Sequence, residues 1–261
     1  MIQGWVAQTG IDCAQMALHG ISGPTRFLEG VYGYPHLYGR DRLDPVQMVA
    51  GLGNEWRLDQ MVFKKYPSCG VTQALTELTL ELVDTLDLTP HRVRRVEVRL
   101  PPYSHKLVGH PFRIGANPRV DAQFSARYCV ANAIVRRASK LAHFKPEQVG
   151  DADVNALIER VDVIADPALD ARGHTAVDLA LTTSDGRTVL RQLDIAPGFP
   201  GNSLSDAQQI ARFEDCVAYA AQPLPRRQVD AFLGGVDALE SLDDARRLID
   251  LLILPQRLQP A

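Results

Sequence analysis

A short polar turn ahead of an amphipathic helix carries side chains that could bind a small acid. Residues 63–73 read FKKYPSCGVTQ and bring lysine, tyrosine, hydroxyl and thiol groups together. The proline and glycine predict a break in the chain, and apolar residues recur at helical spacing from Val71 to Leu86. The turn would present its polar atoms beside the N–H groups of a helix start, which is a favourable place for a carboxylate.

Lys64 is the leading candidate for chemistry in this turn. Its ammonium group could bind a carboxylate, or could donate a proton if burial lowers its pKa. Ser68 and Cys69 could hydrogen-bond the same ligand, and so could Gln73, although an amide cannot transfer protons. The structural alternatives are a solvated surface lysine and, for Cys69, a small buried apolar side chain.

Two further candidates lie later in the chain. His105 follows a predicted strand that ends at Leu100, and we expect it on a loop, where it could transfer protons. Arg127 lies on a predicted helix whose apolar face includes Phe124 and Tyr128, and its guanidinium could pair with a carboxylate. The alternative for both residues is an exposed side chain without a functional role.

The composition argues against several classes of partner. The chain has 261 residues, 46% of them hydrophobic, and a net charge of −3, so no basic surface suited to nucleic acid is expected. No apolar run approaches the roughly 20 residues of a membrane helix, and no signal peptide is visible. The cysteines form no C-x-x-C pair, which predicts neither a metal site nor disulfides and favours a cytoplasmic location.

The periodicity of apolar residues predicts an α+β fold. Helical patterns dominate at both ends of the chain. In the middle, alternation over residues 95–100 and 177–181 predicts strands, and Asp185-Gly186 predicts a hairpin into residues 187–194. We therefore expect an antiparallel sheet within a central α+β part flanked by helices.

Six short segments, spread along nearly the whole chain, occur in the same order as the characteristic segments of one known family. They are 4–8 (GWVAQ), 28–30 (LEG), 64–69 (KKYPSC), 99–105 (RLPPYSH), 117–131 (NPRVDAQFSARYCVA) and 197–205 (PGFPGNSLS). Together they resemble the MmgE/PrpD family, which includes 2-methylcitrate dehydratase and cis-aconitate decarboxylase. Lys65 stands where the family's turn usually has proline. Some members carry histidine at or near the position of Cys69, and many carry it at the position of Gln73.

The resemblance implies a helical domain interrupted by a smaller α+β lid, with the site in the crevice between them. Residues 1–61 would be a remnant of the helical domain, 62–196 the lid, and 197–261 helices returning to the helical domain. The family's reactions imply a lyase that removes water from a small polycarboxylate without a cofactor, most like 2-methylcitrate dehydratase. Lys64 would bind carboxylates and His105 would assist proton transfer. Decarboxylation, epimerisation or a non-catalytic role as a partner subunit are the alternatives.

The resemblance also implies a larger N-terminal helical portion than this sequence contains. In the family that portion supplies acidic and histidine residues to the site. We therefore expect the helical flanks to expose apolar faces, and we expect a partner, either a second copy of the chain or a separate N-terminal half. A truncated sequence, a split enzyme and a remnant are the three explanations.

Overall fold

The computed structural model describes residues 2–254 of the chain. It contains two compact units, one ending at Arg57 and the other beginning at Leu58. The three-part division expected from the sequence, with boundaries at 61/62 and 196/197, stays a prediction. Its outermost residues, 1 and 255–261, lie outside the described part of the chain.

The first unit contains three helices: α1 (Ile2–Leu18), α2 (Tyr34–Leu37) and α3 (Pro45–Val49). The Asp44 side chain accepts a hydrogen bond from the Val46 N–H and so caps α3, as residues that precede an N-terminal proline commonly do. Gly33 is the only buried residue among those of this unit whose burial is described, 4–44 and 46–57.

Large apolar side chains of this first unit are exposed. Trp5 is 69% exposed, Tyr32 is 86% exposed and Trp56 is 70% exposed. This confirms the expectation that the N-terminal flank presents apolar surface. Apolar surface of this extent is typical of a region that associates with another segment or chain.

The second unit is built on a four-stranded sheet. Its strands are β1 (Val93–Leu100), β2 (Val161–Ala165), β3 (Val177–Thr183) and β4 (Thr188–Leu193), in the spatial order β2-β1-β3-β4. Val96, Val98 and Leu100 are buried on one face of β1, which confirms the alternation seen in the sequence. The α+β class is likewise confirmed.

The sheet is mixed, whereas the sequence predicted an antiparallel one. β1 pairs with β3, and β3 with β4, in antiparallel fashion, but β1 and β2 are parallel, with Val98 opposite Val163. The chain between β1 and β2 forms several helices. A crossover of this kind is what joins parallel neighbours, and alternation within single strands does not reveal it.

Helices surround this sheet and extend beyond it. They are α4 (Gln73–Thr85), α5 (Pro102–Val108), α6 (Pro118–Gln123), α7 (Ala126–Arg136), α8 (Pro146–Val149), α9 (Ala152–Ile158), α10 (Asp206–Tyr219), α11 (Arg226–Asp237) and α12 (Arg246–Leu251). α4 packs on α7, β3 and β4, and α7 packs on α9 and β2. No helix within residues 2–254 has the length and apolar character needed to cross a lipid bilayer.

Phe124 departs from the expected helical face. The sequence placed it with Tyr128 in the core, but Phe124 follows the end of α6 and is 49% exposed, whereas Tyr128 is fully buried. The reason is a break between two helices: the Ser125 side chain accepts the Tyr128 N–H and begins α7 there. Phe124 is consequently free to line a cavity.

The C-terminal helices are anchored by few buried side chains. Ser205 and Gln208 form a capping box at the start of α10. α10 has no fully buried residue, and α11 buries only Val229. Phe213 and Phe232 stack with ring centres 5.1 Å apart and so join the two helices.

Candidate active site

The predicted turn, residues 63–69, is fixed by hydrogen bonds on two sides; we call it the lysine turn. The Phe63 N–H donates to the Gly198 carbonyl oxygen at 2.9 Å, and the Cys69 N–H donates to the Gln123 carbonyl oxygen at 3.0 Å. Segments far apart in sequence therefore hold both ends of the turn, and its side chains are presented from a defined backbone.

Gly198 is required for one of these contacts. Its φ is +82°, and a Cβ added there would overlap the Phe63 carbonyl oxygen. Gly198→Ala is expected to lower the free energy of unfolding by about 2–5 kcal/mol, since strain from a positive φ and overpacking add. Gly186→Ala is the control, because φ there is +89° but no atom lies within 4 Å of the added Cβ. Equal losses in urea unfolding of the two variants would contradict the close approach.

Gln73 holds the backbone of the lysine turn from inside the protein. It is fully buried, its Oε1 accepts the Tyr66 N–H at 2.8 Å, and its Nε2 donates to the carbonyl oxygens of Tyr66 (3.0 Å) and Cys69 (3.2 Å). The amide thus pairs with the turn as a neighbouring strand would. The structure gives Gln73 a positioning role, and the predicted contact with a substrate stays a prediction.

Ser68 and Cys69 both line a cavity beside the turn. Ser68 is only 5% exposed, and its hydroxyl lies 2.7 Å from that of Thr72. The Thr72 hydroxyl donates to the Cys69 carbonyl oxygen, so Ser68 is the donor to Thr72. Cys69 is half-buried with a free thiol, which leaves it the more accessible of the two candidates.

The two adjacent lysines of the turn have different environments. Lys65 pairs with Glu77 at 2.7 Å, and the Tyr66 hydroxyl donates to the same carboxylate at 2.5 Å. Burial first, and then the hydrogen bond to Glu77 and its charge, raise the pKa of the Tyr66 phenol. Lys64 is exposed and forms no ion pair among the described residues. Its exposure favours carboxylate binding over the proton-donor role that would depend on burial.

The cavity beside the lysine turn has a volume of about 500 Å³, within the usual range for small-molecule sites. It brings together Lys64, Ser68 and Cys69 of the predicted site. Its other walls come from the end of α6, the loop after α7 and one face of α10. The remaining lining residues are Lys65, Tyr66, Pro67, Gln123, Phe124, Ser139, Lys140, Leu141, Gln208, Ala211, Arg212, Asp215 and Cys216.

Positive charge predominates in this cavity. Lys64, Lys140 and Arg212 line it, and none of them forms an ion pair among residues 2–254. Asp215 is the one acidic lining residue, and its carboxylate accepts the Leu141 N–H at 3.2 Å. The cavity is therefore suited electrostatically to an anion.

His105 does not line the cavity, and it lies on a helix instead of the expected loop. Pro101 and Pro102 begin α5 directly after β1, because proline is favoured at the first helical position. The ring of His105 is half-buried on α5. Its predicted part in proton transfer stays a prediction.

Arg127 also lies away from the cavity lining. Its Nη1 donates to the carbonyl oxygens of Gly109 and His110, the latter at 2.9 Å, at the C-terminal end of α5. Burial lowers the pKa of its guanidinium. The geometry gives Arg127 a structural contact with α5, and its predicted binding to substrate stays a prediction.

The α10 face and the loop after α7 were not among the residues predicted from the sequence. Arg212, Asp215 and Cys216 lie at i, i+3 and i+4 in the chain, so helical periodicity alone could have placed them on one face. Ser139 and Lys140 carry no such signal, because they follow the helix end at Arg137, where φ is +52°.

A histidine beside this loop predicts a pH dependence of stability. Burial, followed by the charge of Arg136, lowers the pKa of His143, while Asp215 acts in the opposite direction and Lys140 in the same one. The unfolded state then takes up a proton near pH 6.5 that the folded state resists, so stability should fall as the pH drops below about 6.5.

Urea unfolding at pH 7.5 and pH 5.5 checks this expectation. His143→Gln should reduce the loss of stability between the two pH values, whereas His91→Gln, at an exposed histidine, should leave it unchanged. The role of His143 is refuted if the two variants keep the same pH dependence as the wild-type protein.

No group of three or more metal-binding side chains that could hold an ion occurs among the described residues. The cavity is lined by Lys64, Lys140 and Arg212 and also by two thiols and one carboxylate, and the excess of cations suits an anionic ligand.

Comparison with protein families places the second unit. A family model described as the MmgE/PrpD C-terminal domain matches residues 66–232. The match covers most of the second unit and begins two residues after Lys64. No curated protein matches the chain.

Proposed function

Because this chain belongs to the MmgE/PrpD family, we propose that it is a lyase acting on a small polycarboxylate. The reaction that we favour is the removal of water, as in 2-methylcitrate dehydratase. The observation that carries this proposal is the positively charged cavity beside the lysine turn, where Lys64 has no ion-pair partner among the described residues.

The cavity chemistry fits such an elimination. Removing a proton from a carbon next to a carboxylate shifts negative charge onto that carboxylate, and a fixed cation stabilises it. The C–O bond then breaks, the leaving hydroxyl takes a proton from an acid, and water departs. We assign carboxylate binding to Lys64, with Cys69 beside it, and positioning of the turn to Gln73 and Ser68.

An acid–base pair must complete this reaction. We propose that it comes with a second helical portion, from a separate N-terminal half or a second copy of the chain. The exposed apolar side chains of the first unit, Trp5, Tyr32 and Trp56 among them, support such an association. The free cysteines support the reducing cytoplasm as the location.

The test is turnover of 2-methylcitrate and cis-aconitate by the purified chain, alone and with any separately encoded N-terminal half. Mass spectrometry of the products separates the family's alternatives: loss of water, loss of carbon dioxide or an isomer of unchanged mass. Turnover only on mixing would support a split enzyme, and turnover by the chain alone would refute the need for a separate N-terminal half. A folded chain that is inactive under both conditions would favour a non-catalytic subunit.

A further inference from the structure

Two residues of the cavity wall each carry a polar atom that is buried without a hydrogen-bond partner. These atoms are Arg212 Nε on α10 and Ser139 Oγ on the loop after α7, and within residues 2–254 no other buried side-chain nitrogen or oxygen is in this state. Both residues line the cavity beside the lysine turn. Buried donors are nearly always paired in folded proteins, so an unpaired donor on each of two residues that line one cavity points to a partner at this wall, either a ligand group or water.

The Arg212 guanidinium is oriented but not neutralised. Its Nη2 donates to Gln209 Oε1 at 3.3 Å, and its Cζ lies 5.9 Å from the centre of the Phe63 ring. Nε and Nη1 make no hydrogen bond with the described residues. Nε and Nη2 share the side of the guanidinium group that matches the two oxygens of a carboxylate, and its one described hydrogen bond is the long contact to Gln209 Oε1.

The neighbouring charges support an anionic ligand at this wall. Lys140 follows Ser139 directly and also lines the cavity, and its ammonium adds a second positive charge. Asp215 lies one helical turn after Arg212 but forms no ion pair with it; its carboxylate accepts the Leu141 N–H instead. The two cations exceed the single acid, so the local field favours a carboxylate.

We infer that Ser139, Lys140 and Arg212 form a second carboxylate subsite, distinct from Lys64. A polycarboxylate is then held at two points, by Lys64 on the lysine turn and by Arg212 with Ser139 on the other wall. This inference rests on the proposed function and adds to it a preference for ligands with more than one carboxylate. A ligand with two or more carboxylates can occupy both subsites, whereas a monocarboxylate can occupy only one.

The experiment is titration calorimetry of the full chain with tricarballylate, which has three carboxylates and no hydroxyl group to eliminate. Arg212→Gln is expected to weaken binding by about 10–100-fold, the effect of losing a charge-assisted pair. Ser139→Ala should weaken it by about 2–10-fold, as for one neutral hydrogen bond. The preference of the wild-type protein for tricarballylate over propionate should shrink in Arg212→Gln.

Arg227→Gln is the matched control, since Arg227 is an exposed arginine on α11 that does not line the cavity; its affinity should stay within about twofold of wild type. Circular dichroism shows whether each variant is folded. Ser139→Ala removes one hydroxyl group and keeps the test decisive if Arg212→Gln does not fold.

The outcomes separate this inference from the proposed function. Unchanged affinity in both Arg212→Gln and Ser139→Ala, with weaker binding in Lys64→Ala, overturns the subsite and leaves the function intact; water then fills this part of the cavity. Weaker binding in the Arg212 and Ser139 variants supports the subsite. If the wild-type protein also turns over none of the substrates tested, the subsite stands and the reaction is rejected. A wild-type chain that binds tricarballylate neither alone nor with a separately encoded N-terminal half overturns both.

Discussion

Replacing Lys64 by alanine is expected to lower kcat/KM for the polycarboxylate substrate by about 100–1000-fold. The comparison is made with the chain alone or with the chain plus its N-terminal half, whichever is active. The ammonium group is the cation of the lysine turn that has no described ion-pair partner, and it lines the cavity. Loss of one group that stabilises developing negative charge typically has an effect of this size. Lys64 is exposed, so its removal should change the free energy of unfolding by no more than about 0.5 kcal/mol.

Two further variants make this expectation specific. Lys64→Arg keeps the charge and should retain more activity than alanine, although the guanidinium does not reproduce a compact ammonium. Lys106→Ala removes an exposed lysine on α5, outside the cavity lining, and should leave the kinetics within about twofold. Unchanged kinetics in Lys64→Ala would remove this residue from the mechanism.

Gln73→Ala is expected to lower the free energy of unfolding by about 3–5 kcal/mol. The substitution removes both hydrogen bonds that the buried amide makes to the Tyr66 backbone and the one to the Cys69 carbonyl. Each buried backbone group left unpaired costs about 1–3 kcal/mol. Activity should fall as well, because the lysine turn loses the group that holds its backbone in place.

Urea unfolding measures the stability loss, with Gln192→Ala as the matched control. Gln192 is an exposed glutamine on β4, and its removal should change the free energy of unfolding by no more than about 0.5 kcal/mol. A loss below about 1 kcal/mol for Gln73→Ala would show that the turn does not depend on this amide.

Local patterns in the sequence predicted much of the second unit. Alternation located β1 and β3, and Asp185-Gly186 located the β3–β4 hairpin. Each of these signals acts between residues close in the chain. The parallel pairing of β1 with β2 depends on the crossover between them, and no local pattern encodes it.

The candidate site was predictable in part, for the same reason. The lysine turn was visible because its polar residues are contiguous. The cavity walls at Ser139 and Arg212 were not, since they meet the turn only through tertiary packing. His105 and Phe124 were misplaced although local signals were present: Pro102 begins α5, and Ser125 begins α7.

The shallow anchoring of α10 has a consequence for how a ligand is held. This helix carries Arg212 but buries no side chain completely, whereas α4 and α7 contribute many fully buried residues. Amide hydrogen exchange should therefore be faster in α10 than in those two helices, since segments with few buried apolar contacts open at a lower free energy. A carboxylate bound by Arg212 would slow that exchange. Part of the ligand's binding free energy would then offset the conformational entropy that α10 loses when the cavity wall becomes ordered.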